Sequence, residues 1–461
     1  MGIGPWVLML LLELALTVYR MRTNAVQRRA TAILRELSVL LPAALLALST
    51  LRWGFRYYAL AALLLTSAAV GLLQWLRKTD AKKEGGRARP LWRGGAMMAL
   101  LSLASLPAIL FPEYAPLPAT GEYPVKTAVQ YLADPDRTEP FGRQGEARAL
   151  AVEFWYPAHA AGHFPLIVFS HGAFGLRTSN ETLFRALASH GYVVCSIDHS
   201  GHCLYTTREN GSPMPIDRGY LGELRREDAR ADRRASLALY QKWMGVRVAD
   251  IHFVIDSIAA RAAAAPQDEV YGLVDAQKIG VIGHSLGGSA ALGIGRARGD
   301  VGAVIALESP FLCDILAVED GAFVFEEAPY PVPVLAIYSD SAWTQLADWP
   351  QYAQNARLRA GRDKDAYNLH LAGTGHLSLT DLSLASPLLT RLLNGHRCTV
   401  SAEDGLTRLN EACLSFFNGF LKDADTVYGS SAGAGRPLHA PSEGDVLTWR
   451  GGFPPCVGTR F

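Results

Sequence analysis

Four apolar runs precede residue 112, covering residues 4–19, 37–51, 57–76 and 94–111. Inside a bilayer no water can satisfy a backbone amide, so a single-segment span has to be a helix, and a hydrocarbon core asks for about 20 apolar residues. The third run, "YYALAALLLTSAAVGLLQWL", fills that length, whereas the first, "GPWVLMLLLELALTVY", is shorter and carries Glu13. A buried helix of a soluble domain would interrupt its apolar residues with a polar stripe at helical spacing, and these runs have almost none. The start "MGIGPW" lacks the basic segment of a secretory leader, and no small-residue cleavage pattern follows. Residues 1–112 are therefore expected to form an all-α transmembrane region of four helices.

The loops set an orientation. Arg20, Arg22, Arg28, Arg29 and Arg35 lie between the first two runs, and Arg77, Lys78, Lys82, Lys83, Arg87, Arg89 and Arg93 lie between the last two. Both loops are predicted to be cytoplasmic, which places everything after Phe111 on the extracytoplasmic side, periplasmic or extracellular. All six cysteines fall in that outer part. An oxidising compartment permits disulfides, with Cys398, Cys413 and Cys456 the better bridge candidates and Cys195 and Cys313 read as buried thiols.

After a Pro-rich linker, residues 113–147, the pattern changes to short β-branched runs alternating with helical stretches, the signature of a mostly parallel sheet. The predicted strands are "ALAVEFWYP", "PLIVFSHG", "YVVCSID", "KIGVIGHS", "VGAVIALES", "VPVLAIYSD" and "YNLHLAGTG". Between them come helices at "ETLFRALASHG", from about Arg226 to Arg261, and at "LGGSAALGIGRA", with "NEACLSFFNGFLKD" near the end. Residues 148–425 are predicted to be one catalytic domain, and 426–461 an irregular Gly/Ser-rich tail. Residues 204–224 have no clear period and form a candidate lid or a plain surface excursion, while the charges of "LRREDARADRRAS" read as a solvated helix face.

A net charge of +1, with no Walker-type loop and no aromatic-flanked basic stripe, excludes nucleic acid as an expected partner. The chemistry concentrates at Gly283-His284-Ser285-Leu286-Gly287. A G-x-S-x-G sequence between a β-run and small residues is the sharp strand-to-helix turn that raises a nucleophilic serine above a sheet. A serine hydroxyl needs a base, and His376 in "LHLAGTGHLSLTD" follows the last strand in a glycine-rich loop. His370 reads as a sheet residue, and His396 follows a further helical run. The base in turn needs a carboxylate, and both Glu308 and Asp340 end strands at a suitable place. The amides of Leu286 and Ala173 are candidates for the oxyanion hole, with His171 as a loop-shaping neighbour. The cluster "SIDHSGHC" brings Asp198, His199 and His202 together, but without a third spaced histidine or a HExxH helix it reads as pocket lining rather than a metal site. No metal and no cofactor are expected.

The segments "FSHGAFGLRT", "LASHGYVVCSIDH", "KIGVIGHSLGG", "ALESPFL" and "GTGHLSLTDL" resemble, in order, the plasma and type II platelet-activating factor acetylhydrolases, which are serine-dependent α/β-hydrolases related to dienelactone hydrolases and cutinase-like esterases. The resemblance covers roughly Glu153 to Asp423 and not the apolar runs. It implies an α/β-hydrolase fold with Ser285 as nucleophile, His376 as base, and Ala173 and Leu286 as oxyanion donors. It favours Glu308 over Asp340 as the acid, in place of the family's usual aspartate. It also implies hydrolysis of short or phospholipid acyl esters without a cofactor. The same residues would equally serve a general esterase, a polyester hydrolase, a peptidase or an acyltransferase; a reading of another class is a non-catalytic ligand-binding membrane sensor.

Overall fold

The computed structural model describes residues 4–23, 33, 37, 39, 53–76, 88–142, 145–360 and 365–422. The chain divides into two compact units, Met1–Ala115 with Ala385–Leu389, and Pro116–Leu384 with Thr390–Phe461.

The first unit contains α1 (Gly4–Thr23), α2 (Tyr58–Leu76) and α3 (Ala88–Leu110). Phe55–Leu73 and Leu91–Leu110 are long and apolar enough to cross a membrane, whereas the apolar part of α1, Met9–Tyr19, is shorter. Met9, Leu60, Leu64, Leu101 and Ala104 pack together, while Leu65, Leu73, Leu76 and Leu103 point outward. A stable water-facing helix would invert that arrangement. Gly94 allows α3 to approach α1, since a Cβ there would lie 2.0 Å from Thr17 Oγ1. The predicted span at 37–51 falls outside the described residues, apart from residues 37 and 39.

The second unit is built on an eight-stranded sheet in the order β1-β2-β4-β3-β7-β8-β11-β12. Its strands are β1 (Val125–Thr138), β2 (Ala147–Pro157), β3 (Phe164–Ser170), β4 (Val193–Asp198), β7 (Val274–His284), β8 (Val301–Leu307), β11 (Val334–Ser339) and β12 (Ala366–Leu371). The β1–β2 and β2–β4 pairs are antiparallel and all the others parallel. This mostly parallel sheet with helices on both faces is the α/β-hydrolase architecture expected from the sequence.

Period-two alternation sends neighbouring strand residues to opposite faces. Leu166, Val168 and Val281 pack under α6 (Arg233–Ala264) and α7 (Leu286–Ala297), through Trp243, Ile251, Ile255 and Leu292. Ile167, Phe169 and Ile282 pack under α4 (Glu181–Ser189) and α8 (Ala402–Leu421), through Phe184, Leu187, Phe416 and Phe417.

Several local expectations are corrected. The helix expected from about Arg226 to Arg261 is α6, which starts only at Arg233, and a separate short helix, α5 (Arg218–Arg226), ends where the expected one was to begin. Two aspartates cause the break: Asp228 Oδ1 accepts the Arg230 amide, and Asp232 Oδ1 accepts the Ala235 amide as the cap of α6, both at 3.0 Å. Residues 204–224 hold a small hairpin, β5 (Tyr205–Thr207) with β6 (Pro213–Pro215), followed by most of α5. A second hairpin joins β9 (Ile315–Glu319) and β10 (Ala322–Phe325). The last predicted strand stops at Leu371, and Gly373, with φ +81°, starts the loop that follows. Strand β1 is not among the predicted strands, because as an edge strand it mixes polar and apolar residues with little burial. Cys398 and Cys413 are free thiols, so neither forms the bridge expected of it, while Cys456 lies outside the described residues.

Candidate active site

The motif sits where β7 passes into α7. Ser285 has φ +54° and ψ −124°, a conformation that costs an ordinary residue about 1–3 kcal/mol and marks a constrained turn. Its flanking glycines are demanded by backbone, not by side chains. A Cβ on Gly283 would lie 2.3 Å from the Gly287 carbonyl carbon, and one on Gly287 would lie 2.0 Å from the Ser170 oxygen. The Ser285 amide donates to Leu307 O at 2.9 Å, which ties the turn to the end of β8. Leu286 is the first residue of α7, where helical amides have no acceptor within the helix.

The loop after β3 lies alongside. A Cβ on Gly172 would come within 3.2 Å of Ser285 Cβ, so the next amide, that of Ala173, begins beside the serine. Phe174 follows at φ +60° and is exposed.

Across the sheet end, His376 Nδ1 is 2.7 Å from Glu308 Oε1. A carboxylate can only accept, so the imidazole carries a proton on Nδ1 and leaves Nε2 as the basic nitrogen. Glu308 is buried, with its side chain 2% exposed, while the His376 side chain is 32% exposed. Its other oxygen accepts from both the amide and the hydroxyl of Ser339. Burial alone would raise the Glu308 pKa, but His376 and the Ser339 donors outweigh it and hold the carboxyl below its ordinary value. The carboxylate is poised to stay ionised.

Asp340 is engaged elsewhere. Its oxygens take His370 Nε2 at 2.8 Å and the Gly373 amide at 2.9 Å, and the His370 ring stacks on Trp343. Of the two sequence candidates, it is Glu308 that touches His376. His376 is further fixed by its amide donating to Ser341 Oγ at 3.0 Å and by His284 Nε2–H donating to its carbonyl at 3.0 Å. His284, inside the motif, is buried, and burial followed by the neighbouring His376 lowers its pKa to about 3. It is a neutral donor in the fold.

The described part of the chain thus brings Ser285, Leu286, Ala173, His376 and Glu308 to one edge of the sheet. Residues 148–435 match the family described as platelet-activating factor acetylhydrolase, isoform II. The chain belongs to that family. Among curated platelet-activating factor acetylhydrolases, that of Canis lupus familiaris is 23% identical over 286 residues, which cover 58% of this chain and 60% of the relative. That of Cavia porcellus is 22% identical, covering 58% and 59%. The chain therefore spans about 60% of the length of the relatives it matches. Among solved structures, a ferulic acid esterase from Streptomyces cinnamoneus shares the fold, with a TM-score of 0.52 and 22% identity, covering 70% of this chain and 95% of that one.

Within this acetylhydrolase-family domain, the "SIDHSGHC" residues are committed to structural contacts. Asp198 pairs with Arg177 and accepts from Thr206, and the His202 ring stacks on Tyr220 at 3.8 Å. His171, Asp198 and Cys203 have ligand atoms within 4.8 Å of one another. Yet Asp198 Oδ1 already takes the Arg177 amide, and both His171 ring nitrogens have partners, so a metal would have to displace existing bonds.

The sequence reading missed the polar group behind the Gly172 loop. Arg148, Arg247 and Asp250 are fully buried, and Asp250 binds both Arg148 and His199. Burial opposes ionisation of Asp250, but Arg148 and His199 overcome it and hold its carboxyl far below the usual range. The one local signal was the spacing of Arg247 and Asp250 on a helix face otherwise made of Trp243, Ile251 and Val254.

Proposed function

We propose that the protein is a membrane-anchored serine hydrolase acting on carboxylic esters, with short-chain or phospholipid acyl esters as its substrate class. The observation that carries this reading is the Glu308–His376 pair facing the edge where Ser285 is held in a strained turn. Membership of the acetylhydrolase family supports it. In the mechanism we propose, His376 Nε2 takes the Ser285 hydroxyl proton as Oγ attacks the ester carbonyl. The carbonyl oxygen becomes an oxyanion that receives the Ala173 and Leu286 amides. Collapse expels the alcohol, which takes the proton from His376 and leaves an acyl-serine. Water then attacks this ester, His376 again taking the proton, and Ser285 is regenerated as the carboxylic acid leaves. Glu308 keeps Nδ1 protonated and offsets the imidazolium charge throughout.

The anchor belongs to the same proposal. Two helices of spanning length and arginine-rich loops between the apolar runs favour four spans over residues 1–112, with the catalytic domain over 148–425 outside the cytoplasm. The test uses the detergent-solubilised chain, its Ser285→Ala variant, a fluorophosphonate probe and p-nitrophenyl esters of increasing chain length. Labelling and turnover in the parent alone, falling as the acyl chain lengthens, is the expected result. A folded parent that neither labels nor hydrolyses any ester would overturn the proposal.

A further inference from the structure

Directly behind the Gly172 loop runs a second Ser-His-Asp chain that no solvent reaches. Ser170 Oγ lies 2.8 Å from His199 Nε2, and His199 Nδ1 lies 2.9 Å from Asp250 Oδ2, all three residues being buried. The Asp250 carboxylate accepts, so His199 holds its proton on Nδ1 and Nε2 accepts the Ser170 hydroxyl. Arg148 binds Asp250 through two nitrogens, at 3.0 and 2.6 Å. Sealed in this way, the array cannot attack a substrate. Its terminal serine is, however, the residue immediately before His171-Gly172-Ala173.

The same loop is held from a second side. Arg247, on α6, directs Nη1 to the His171 carbonyl at 2.5 Å and Nη2 to the Gly172 carbonyl at 3.4 Å. The Gly172 carbonyl also takes His171 Nδ1–H at 2.7 Å and the Gly175 amide at 3.2 Å. The His199 amide donates to His171 Nε2 at 3.3 Å.

A peptide unit is planar and trans, so its C=O and the N–H of the next residue point in opposite directions as one rigid body. Whatever grips the Gly172 oxygen therefore aims the Ala173 N–H. A cationic donor also polarises the peptide it binds, which strengthens the N–H on its far side. A neutral donor could join helix to loop. The guanidinium's direct acceptors on the loop are these two neutral carbonyls, with the Tyr220 hydroxyl beside it and the Asp250 carboxylate in the same buried cluster, so it sets a cation against the side of the loop opposite to where negative charge would develop.

We propose that Arg247 is a positioning residue for oxyanion stabilisation, holding and polarising the His171–Gly172–Ala173 peptides against the anchor formed by Ser170, His199 and Asp250. The inference rests on the ester-hydrolase reading above. Arg247→Lys keeps the charge and loses the fork, and Arg247→Met loses both. In the full chain, kcat for p-nitrophenyl acetate falls about 10-fold in the lysine variant and about 100-fold in the methionine variant, while KM stays within about threefold. The inhibition constant of a trifluoromethyl ketone, which adds to Ser285 as a tetrahedral oxyanion, rises in step with the loss of kcat. A general loosening of the fold would not produce that proportionality. Folded variants with unchanged kcat, or with lower kcat but an unaltered inhibition constant, overturn the assignment. Should the methionine variant fail to fold, the lysine variant decides the matter alone. Absence of turnover in the parent overturns the hydrolase reading and this inference with it; an active parent beside unaffected variants overturns this inference only.

Discussion

Replacing Glu308 by glutamine separates the two acid candidates. The Glu308 carboxylate faces the His376 ring across 2.7 Å and is 2% exposed, so the charge it offers the imidazolium is poorly screened. At an effective dielectric of about 20, unit charges at that distance attract by roughly 6 kcal/mol, equivalent to about 10⁴ in rate. Glutamine keeps the shape and the Ser339 bonds but removes the charge. It also lets an amide N–H face Nδ1, which favours the tautomer with its lone pair on the wrong nitrogen. The expected result is a loss of about 10³–10⁴ in kcat for p-nitrophenyl acetate, with KM little changed. Asp340→Asn removes a carboxylate that is 38% exposed and bound to His370 and the Gly373 amide. There the loss is about tenfold or less, because only the loop ahead of His376 is disturbed. Equal losses in the two variants, or a larger loss at Asp340, would refute the assignment of Glu308.

Two further outcomes are expected. Ser285→Gly removes the penalty of a positive φ that Ser285→Ala retains, so both are inactive but the glycine variant is more stable by about 1 kcal/mol, read as a higher melting temperature; equal or lower stability contradicts strain in the turn. Acid should weaken the fold, because burial keeps His199, with a pKa near 4, His284, near 3, and His171, also far below its ordinary value, neutral when folded, whereas all three protonate when unfolded below about 6.5. The unfolded state then binds more protons, and stability falls as pH drops from about 6.5 to 4. His202, also pushed far below its ordinary value by burial, adds to this effect, while Asp381, raised to about 7, and Asp198 and Glu153, also raised by burial, work in the opposite sense; each strongly shifted histidine contributes about 1.4 kcal/mol per pH unit, and together they set the sign. Melting temperatures of the full chain across that range are the check, and a midpoint that is flat or rises on acidification contradicts the assigned charge states.

What the sequence made legible was local. Ser285 and Glu308 each follow a strand directly, and His376 comes after a glycine-rich loop a few residues past the last strand, with glycines beside Ser285 and His376 where the chain turns sharply. The choice between Glu308 and Asp340 was not local, since Glu308 meets a histidine 68 residues away and Asp340 one 30 residues away. Arg247 lay hidden for the same reason: its carbonyl partners are 75 and 76 residues distant. A charged residue on a long helix reads as solvated until the fold brings a polar partner over it. Strand β1 lacked the apolar density that marks a central strand.

The ladder that joins β7, β8 and β11 also works as a ruler. The Ser285 amide hangs on Leu307 at the end of β8, and the Glu308 amide hangs on Ile337 in β11, so the proposed nucleophile and acid are each suspended from the next strand along. Deleting one residue inside β7 or β8 would turn every side chain beyond it in that strand to the opposite face and carry Ser285 or Glu308 out of alignment with the other. The hairpin tip at Asp320-Gly321, where the backbone already runs through positive φ and a Cβ at Gly321 would meet no neighbour, could absorb an extra residue at little cost. Hydrogen-bond register thus keeps length variation out of the central strands, which can change in composition but not in count, and leaves it to surface turns such as the tips of the β9–β10 and β5–β6 hairpins.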